Sequence, residues 1–187
     1  MLGPEFRDVM RAAAGGDATA FARLWRENQP PLLRYLRVVT GDTAEDVASE
    51  VWLEVSRGLP RFRGDEKDFR GWLFTTARRR VIDLRRYNTR HPTLLSEDPA
   101  DLEHHAPDDT AAAALERMST DSALKMIASL PREQAEIIVL RVIGGLSAAE
   151  VARIVGKRPG AVRVAAHRGL RTLAARLSAA SERGVAR

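Results

Sequence analysis

Apolar residues recur at three- and four-residue spacing along almost the whole chain, as in AFARLWRENQPPLLRYLRVV (20–39) and AEDVASEVWLEVSRGL (44–59). That period is the turn of an α-helix, and alternating strand-like runs bounded by turn residues are absent. The expected fold is therefore all-α. No run approaches the roughly 18 uninterrupted apolar residues of a membrane span, and the N-terminus lacks the apolar core of a signal peptide. No membrane insertion is expected, and a cytoplasmic location is. With no cysteine anywhere in the chain, disulfides, thiolate metal sites and a cysteine nucleophile are excluded.

Charge divides the helices into blocks. Residues 1–91 carry 17 basic and 13 acidic side chains, residues 92–121 carry 1 and 8, and residues 122–187 carry 12 and 4. Basic blocks suit a polyanion, because each neutralised phosphate releases condensed counterions. The acidic block contains Pro92, Pro99 and Pro107 and reads as a linker. The organisation expected is two small helical domains, 1–91 and 119–187, joined by an acidic linker over 92–118. Within them, Thr43 is expected to cap a helix ending near Gly58. A loop is expected over 59–68, then a helix from Phe69 to about Tyr87. Ser129 is a candidate cap ahead of Pro131, and Gly144-Gly145 a helix stop.

The stretch LSAAEVARIVGKRPGAVRVAAHRGL (146–170) carries the most information. Ser147 and Glu150 have the spacing of a capping box. Gly156 permits a tight turn, and Pro159 suits a helix start but not a helix interior. Two helices with so short a turn form a helix-turn-helix. On the second helix, Val162, Ala166, Leu170, Leu173 and Leu177 are expected to form a continuous buried stripe, and Arg163, His167 and Arg171 lie on another face. No acid occurs between Lys157 and Ser181, so long cationic donors are free to reach groove edges and phosphates.

A second cationic cluster comprises Arg78, Arg79, Arg80, Arg85, Arg86 and Arg90, with Asp83 as its one acid. It follows the aromatic-bearing stretch RFRGDEKDFRGWLF (61–74). Guanidinium groups beside aromatic rings suit single-stranded nucleic acid, where cations hold the backbone and rings receive unstacked bases. Trp72 and Phe74 are expected in the core, and Phe62 is the aromatic expected to be exposed.

Four blocks, GDATAFARLWRENQPPLLRYL, GDTAEDVASEVWLEV, RFRGDEKDFRGWLFTTARRRVIDLRR and LPREQAEIIVLRVIGGLSAAEVARIVG, resemble in order and spacing the successive motifs of extracytoplasmic-function sigma factors of the sigma-70 family. The resemblance spans about residues 15–177. It implies a two-domain initiation factor that binds core RNA polymerase through the β-prime and β subunits and directs it to promoters, with an anti-sigma protein as a further partner. On this resemblance Asp46, Glu50 and Leu53 contact polymerase. Phe62, Arg63, Gly64 and Asp65, with Arg78, Arg79, Arg80, Arg85 and Arg86, bind minus-ten DNA in its melted form. Lys157, Arg158, Arg163, His167, Arg168 and Arg171 bind the minus-thirty-five duplex. No cofactor, metal or catalytic residue is implied.

The chain departs from many such factors, having Ser49 in place of Gln, Arg79 in place of Asn, and Val164-Ala165 in place of Ser-Arg. The last change removes a frequent DNA-facing cation. Two other readings compete. A dimeric helix-turn-helix regulator would explain residues 122–187 but leaves the aromatic-arginine cluster unexplained. A nuclease finds no histidine or carboxylate spacing suited to a metal.

Overall fold

The computed structural model describes residues 2–91 and 111–185, and of residues 111–119 and 179–185 the backbone alone. Eight α-helices account for most of the described residues, and no strand occurs among them. The N-terminal unit comprises α1 (Phe6–Ala14), α2 (Ala18–Thr40), α3 (Ala44–Gly58) and α4 (Glu66–Arg90). The C-terminal unit comprises α5 (Ala111–Ala128), α6 (Arg132–Val142), α7 (Ala148–Val155) and α8 (Pro159–Val185). Helix α5 thus begins inside the segment expected as linker, whose residues 92–110 lie outside the described residues.

Several caps differ from expectation. Thr43 makes no side-chain cap, because a 3-10 turn over Gly41–Thr43 leads into α3 and takes Thr43 out of the extended conformation a capping residue needs. Ser129 ends α5 instead of opening α6, its hydroxyl donating to the Met126 carbonyl at 2.7 Å, and Pro131 takes the cap position. Helix α4 starts at Glu66, three residues before Phe69, because Asp65 and Asp68 form a capping box. The Asp65 carboxylate accepts from the Lys67 and Asp68 amides at 2.9 Å, and Asp68 returns an acceptor to the Asp65 amide at 3.1 Å.

The helix-turn-helix forms as the sequence predicts. Ser147 and Glu150 close their reciprocal bonds at 3.3 and 2.7 Å, and Gly156 ends α7 in the left-handed region. The buried stripe of α8 is different, however. Val162 is fully buried, but Leu170 and Leu177 are exposed, and Gly169 takes the inward position. The reason is proximity, since α8 approaches α6 so closely that a Cβ at Gly169 would lie 2.5 Å from Ile138 Cδ1.

One apolar cluster runs through both units. It joins Tyr35, Phe69, Leu73 and Phe74 of the first to Ile137, Leu140, Leu146, Val151 and Val162 of the second. Helices α2 and α4 provide the N-terminal side of this shared core, with α5, α6 and α7 packed on them.

Candidate nucleic-acid interface

On α3, Val47, Val51 and Val55 are buried at four-residue spacing, which turns Asp46, Glu50 and Leu53 to solvent. Beside Leu53 lies a shallow groove lined by Phe21, Trp25, Gln29, Ser49, Trp52 and Ser56. Trp52 is fixed at its floor by donating Nε1–H to Gln29 Oε1 at 2.6 Å. Trp25 is an exposed large apolar residue that the sequence reading did not single out. Its apolar neighbours at helical spacing gave it the signature of a core position.

The loop before α4 is tighter than a capture loop read from sequence. Gly64 has φ of +151°, and a Cβ there would come within 2.7 Å of Asp68, so glycine is what lets Asp68 fold back over the turn. Arg63 closes the loop by donating to the carbonyls of Pro60 and Phe62 at 3.0 and 2.7 Å. Hydrogen bonds from the Asp68 and Lys67 amides hold the Asp65 carboxyl below the usual aspartate range. Phe62 is half-buried and not exposed as expected. Its ring stacks on Trp72 at 5.3 Å and meets Phe69 edge-on at 5.7 Å. Trp72, expected in the core with Phe74, is itself only half-buried and turns its indole face to Phe62, whereas Phe74 is fully buried as expected.

Along α4 the outward stripe consists of Arg79, Asp83, Arg86, Tyr87 and Arg90. Tyr87 is 51% exposed, its ring 4.7 Å from that of His91. It is the aromatic that lies among the arginines, and its spacing of four from Asp83 and eight from Arg79 is the sequence signal for that face. Several cations of the cluster, within the stripe and beside it, have partners in the protein. Arg78 donates Nε–H to Glu136 at 2.9 Å, Arg80 meets Glu54 at 3.2 Å and Glu50 at 3.6 Å, and Arg86 lies 3.9 Å from Asp83. Arg85 donates to the Val39 carbonyl. Arg85, Arg86 and Arg90 also converge with Arg132 of α6 around a shallow hollow.

In the C-terminal unit, Lys157, Arg158, Arg163, His167, Arg168 and Arg171 are all exposed at the start of α8 and the turn before it. Lys157 contacts Glu133 at 2.8 Å. Val164, half exposed, lies among them. The arrangement presents a cationic helix at the tip of a helix-turn-helix, a shape suited to a major groove. Among the described residues no group of histidine and carboxylate side chains is placed to hold a metal ion, and no helix is long and apolar enough to cross a membrane.

Residues 24–91 match the family described as Sigma-70 region 2, and residues 120–173 match Sigma-70, region 4. Similar proteins include the ECF RNA polymerase sigma factor ShbA of Streptomyces griseus, 39% identical over 178 residues, which cover 89% of this chain and 92% of that protein. The ECF RNA polymerase sigma factor SigD of Mycobacterium bovis is 34% identical over 188 residues, covering 97% of this chain and 88% of the relative. Among solved structures, CnrH in complex with the cytosolic domain of CnrY aligns with a TM-score of 0.62 at 24% identity, covering 93% of this chain and 97% of that one. The sigma factor RpoE in complex with the anti-sigma factor NepR from Bartonella quintana aligns at 0.63 and 20% identity, covering 84% of this chain and 96% of that one.

Proposed function

Because the chain belongs to the extracytoplasmic-function sigma factors of the sigma-70 family, we propose that its two cationic surfaces divide promoter reading between them while α3 holds core RNA polymerase. The observation that carries this reading is the presence of both sigma regions on one chain, each with an outward basic face. A free-standing dimeric regulator has no use for the first of them. Sigma factors are not enzymes, and the chemistry of initiation belongs to the polymerase.

Residues 1–91 form the polymerase-binding and minus-ten domain, and residues 119–187 the minus-thirty-five domain. Asp46, Glu50 and Leu53 share the exposed face of α3, so one partner surface can meet all three, and Trp25 beside Leu53 extends that face with apolar area. Lys157, Arg158, Arg163, His167, Arg168 and Arg171 meet the minus-thirty-five duplex, using long donors for guanine edges and phosphates. Val164 suits contact with a thymine methyl better than a phosphate.

At the minus-ten element, Arg79 and Arg86 hold the melted strand along the outer stripe of α4 and Tyr87 offers it an exposed ring. Arg78, Arg80 and Arg85 join once their internal partners are exchanged for phosphates. The loop of Phe62, Arg63, Gly64 and Asp65 receives an unpaired base. Flipping a base costs a few kcal/mol, which stacking and phosphate contacts offset. Core polymerase and promoter DNA are the partners, an anti-sigma protein is the expected restraint, and the site of action is wherever polymerase works, the bacterial cytoplasm.

Run-off transcription with core polymerase on a library of promoter sequences tests this. Start-site choice conferred by the chain supports it, and binding to palindromic DNA without any effect on polymerase would replace it with the regulator reading.

A further inference from the structure

The faces of α8 follow from burial. Val162 and Gly169 are buried and Ala165, Ala166 and Leu173 half-buried, which defines the side turned to the protein. At about 100° per residue, the ridge opposite that side runs through Gly160, Val164, His167 and Arg171, all exposed. Arg163 and Arg168 flank it, exposed as well. A helix that enters a major groove meets base edges with the residues of its first turns on such a ridge. Val164 is therefore the first side chain of the reading edge, an apolar one ahead of His167 and Arg171.

Gly160 supports this placement. A Cβ there would meet nothing within 4 Å, so the packing of the protein does not require glycine, and alanine would suit the helix better. What glycine leaves is a bare first turn, Pro159-Gly160-Ala161, which lets the backbone approach a groove floor and carries Val164 with it. Single exposed apolar residues are common on protein surfaces. This one is 50% exposed and stands between a glycine and two groove-facing donors, on a stretch with no acid from Lys157 to Ser181.

A valine side chain neither donates nor accepts a hydrogen bond, and the one apolar group that base pairs show in the major groove is the C5-methyl of thymine. A cytosine methylated at C5 carries the same group at the same ring position, whereas cytosine and uracil carry hydrogen. Branching at Cβ holds the two Val164 methyls in one strongly preferred rotamer within a helix, so little freedom is lost in making the contact. The cations around it suit phosphates and guanine oxygens instead.

We propose that Val164 makes the chain a reader of pyrimidine C5-methyl groups. At one base pair of the minus-thirty-five element it selects thymine or 5-methylcytosine over their unmethylated counterparts. The inference rests on the sigma-factor reading, which puts α8 on that duplex, and adds to it that promoters of this chain respond to cytosine methylation at one position. A buried methyl is worth a factor of about four in affinity. Being apolar, the contact leaves the salt dependence to the cations.

Selection from a promoter library by the holoenzyme, core polymerase with the full-length chain, gives the preferred minus-thirty-five sequence. Duplex templates then carry deoxyuridine in place of each thymine of that element in turn, on either strand, and holoenzyme binding is measured. One position is expected at which deoxyuridine weakens wild-type binding about fourfold. At that position 5-methylcytosine paired with guanine should bind about fourfold better than cytosine does. Val164→Ala, which removes two methyls from an exposed helical site, should bring both ratios to about one. The wild-type ratios should hold from low to physiological salt while absolute affinity falls steeply.

A preferred element without thymine on either strand would overturn the proposal, as would binding insensitive to deoxyuridine at every thymine. Discrimination that survives in Val164→Ala would do the same. Failure of the chain to confer any start-site choice on core polymerase refutes the sigma-factor reading itself, whereas accurate initiation on templates whose methyl groups make no difference refutes the methyl reader alone.

Discussion

Gly169 has room for a hydrogen and little else, since a Cβ there would overlap Ile138 Cδ1 at 2.5 Å. Gly169→Ala is expected to destabilise the chain by at most about 2 kcal/mol, because the overpacking cost of about 1 to 3 kcal/mol is offset by about 1 kcal/mol of better helix propensity, measurable as a lower urea midpoint with an unchanged slope. Nothing in the sequence distinguishes this glycine from one that merely loosens a helix; its role depends on where α6 lies. The aromatics make the same point. Phe62 looked exposed because it sits in a loop, yet it found Trp72, and the ring left among the cations is Tyr87. A stacked base is worth about 1 to 3 kcal/mol, so Tyr87→Ala should weaken holoenzyme binding to a forked minus-ten template by roughly 5- to 150-fold while Tyr87→Phe stays near wild type. Fluorescence of 2-aminopurine placed in the unpaired strand reads the difference directly, because loss of stacking restores emission.

The helices are far more legible in residue spacing than their ends are. The apolar period of α3 and the Ser147–Glu150 box of α7 follow from spacing alone, and both appear as expected. The stripe on α8 is ambiguous from spacing, because residues 162, 166 and 170 and residues 162, 165 and 169 both satisfy a helical period, and only the approach of α6 selects the second. The boxes themselves have measurable consequences. Ser147→Ala should cost about 1 kcal/mol, seen by urea denaturation. For Glu150, burial alone would raise the carboxyl, but its bonds with Ser147 and the Lys67 charge outweigh burial and hold it below the ordinary 4.5. The folded state thus favours the ionised form. Its contribution is complete above about pH 4.5 and fades as pH falls through the lowered folded value. The stability difference between wild type and Glu150→Gln should accordingly be constant from pH 7 to 5 and shrink below that.

The contact between the domains is the feature least accessible to sequence reasoning. Glu136 lies in REQAEIIVLRV, where a charged residue among apolar ones looks like the solvent side of an amphipathic helix; it is buried because Arg78, 58 residues away, comes to meet it. A linker between two basic blocks suggests two independent bodies, yet Tyr35 and Phe74 share a core with Ile137 and Leu140. A shared core couples their unfolding. Free wild-type protein is therefore expected to melt in one cooperative transition, with calorimetric and van't Hoff enthalpies in agreement. Glu136→Ala leaves the guanidinium of Arg78 without its carboxylate, a change that costs about 3 to 5 kcal/mol for a fully buried pair and less here, where Arg78 is 25% exposed. That loss falls on the contact between domains and not within either one, so scanning calorimetry should resolve the single peak into two. Charge screening should not mimic the effect. Salt weakens exposed pairs such as Arg86–Asp83 far more than an ion pair shielded by packed side chains, and the apolar part of the contact strengthens in excluded salts such as sulfate. The wild-type transition should remain single as ionic strength rises, and a wild-type endotherm that splits at low salt would mean the domains are energetically separate.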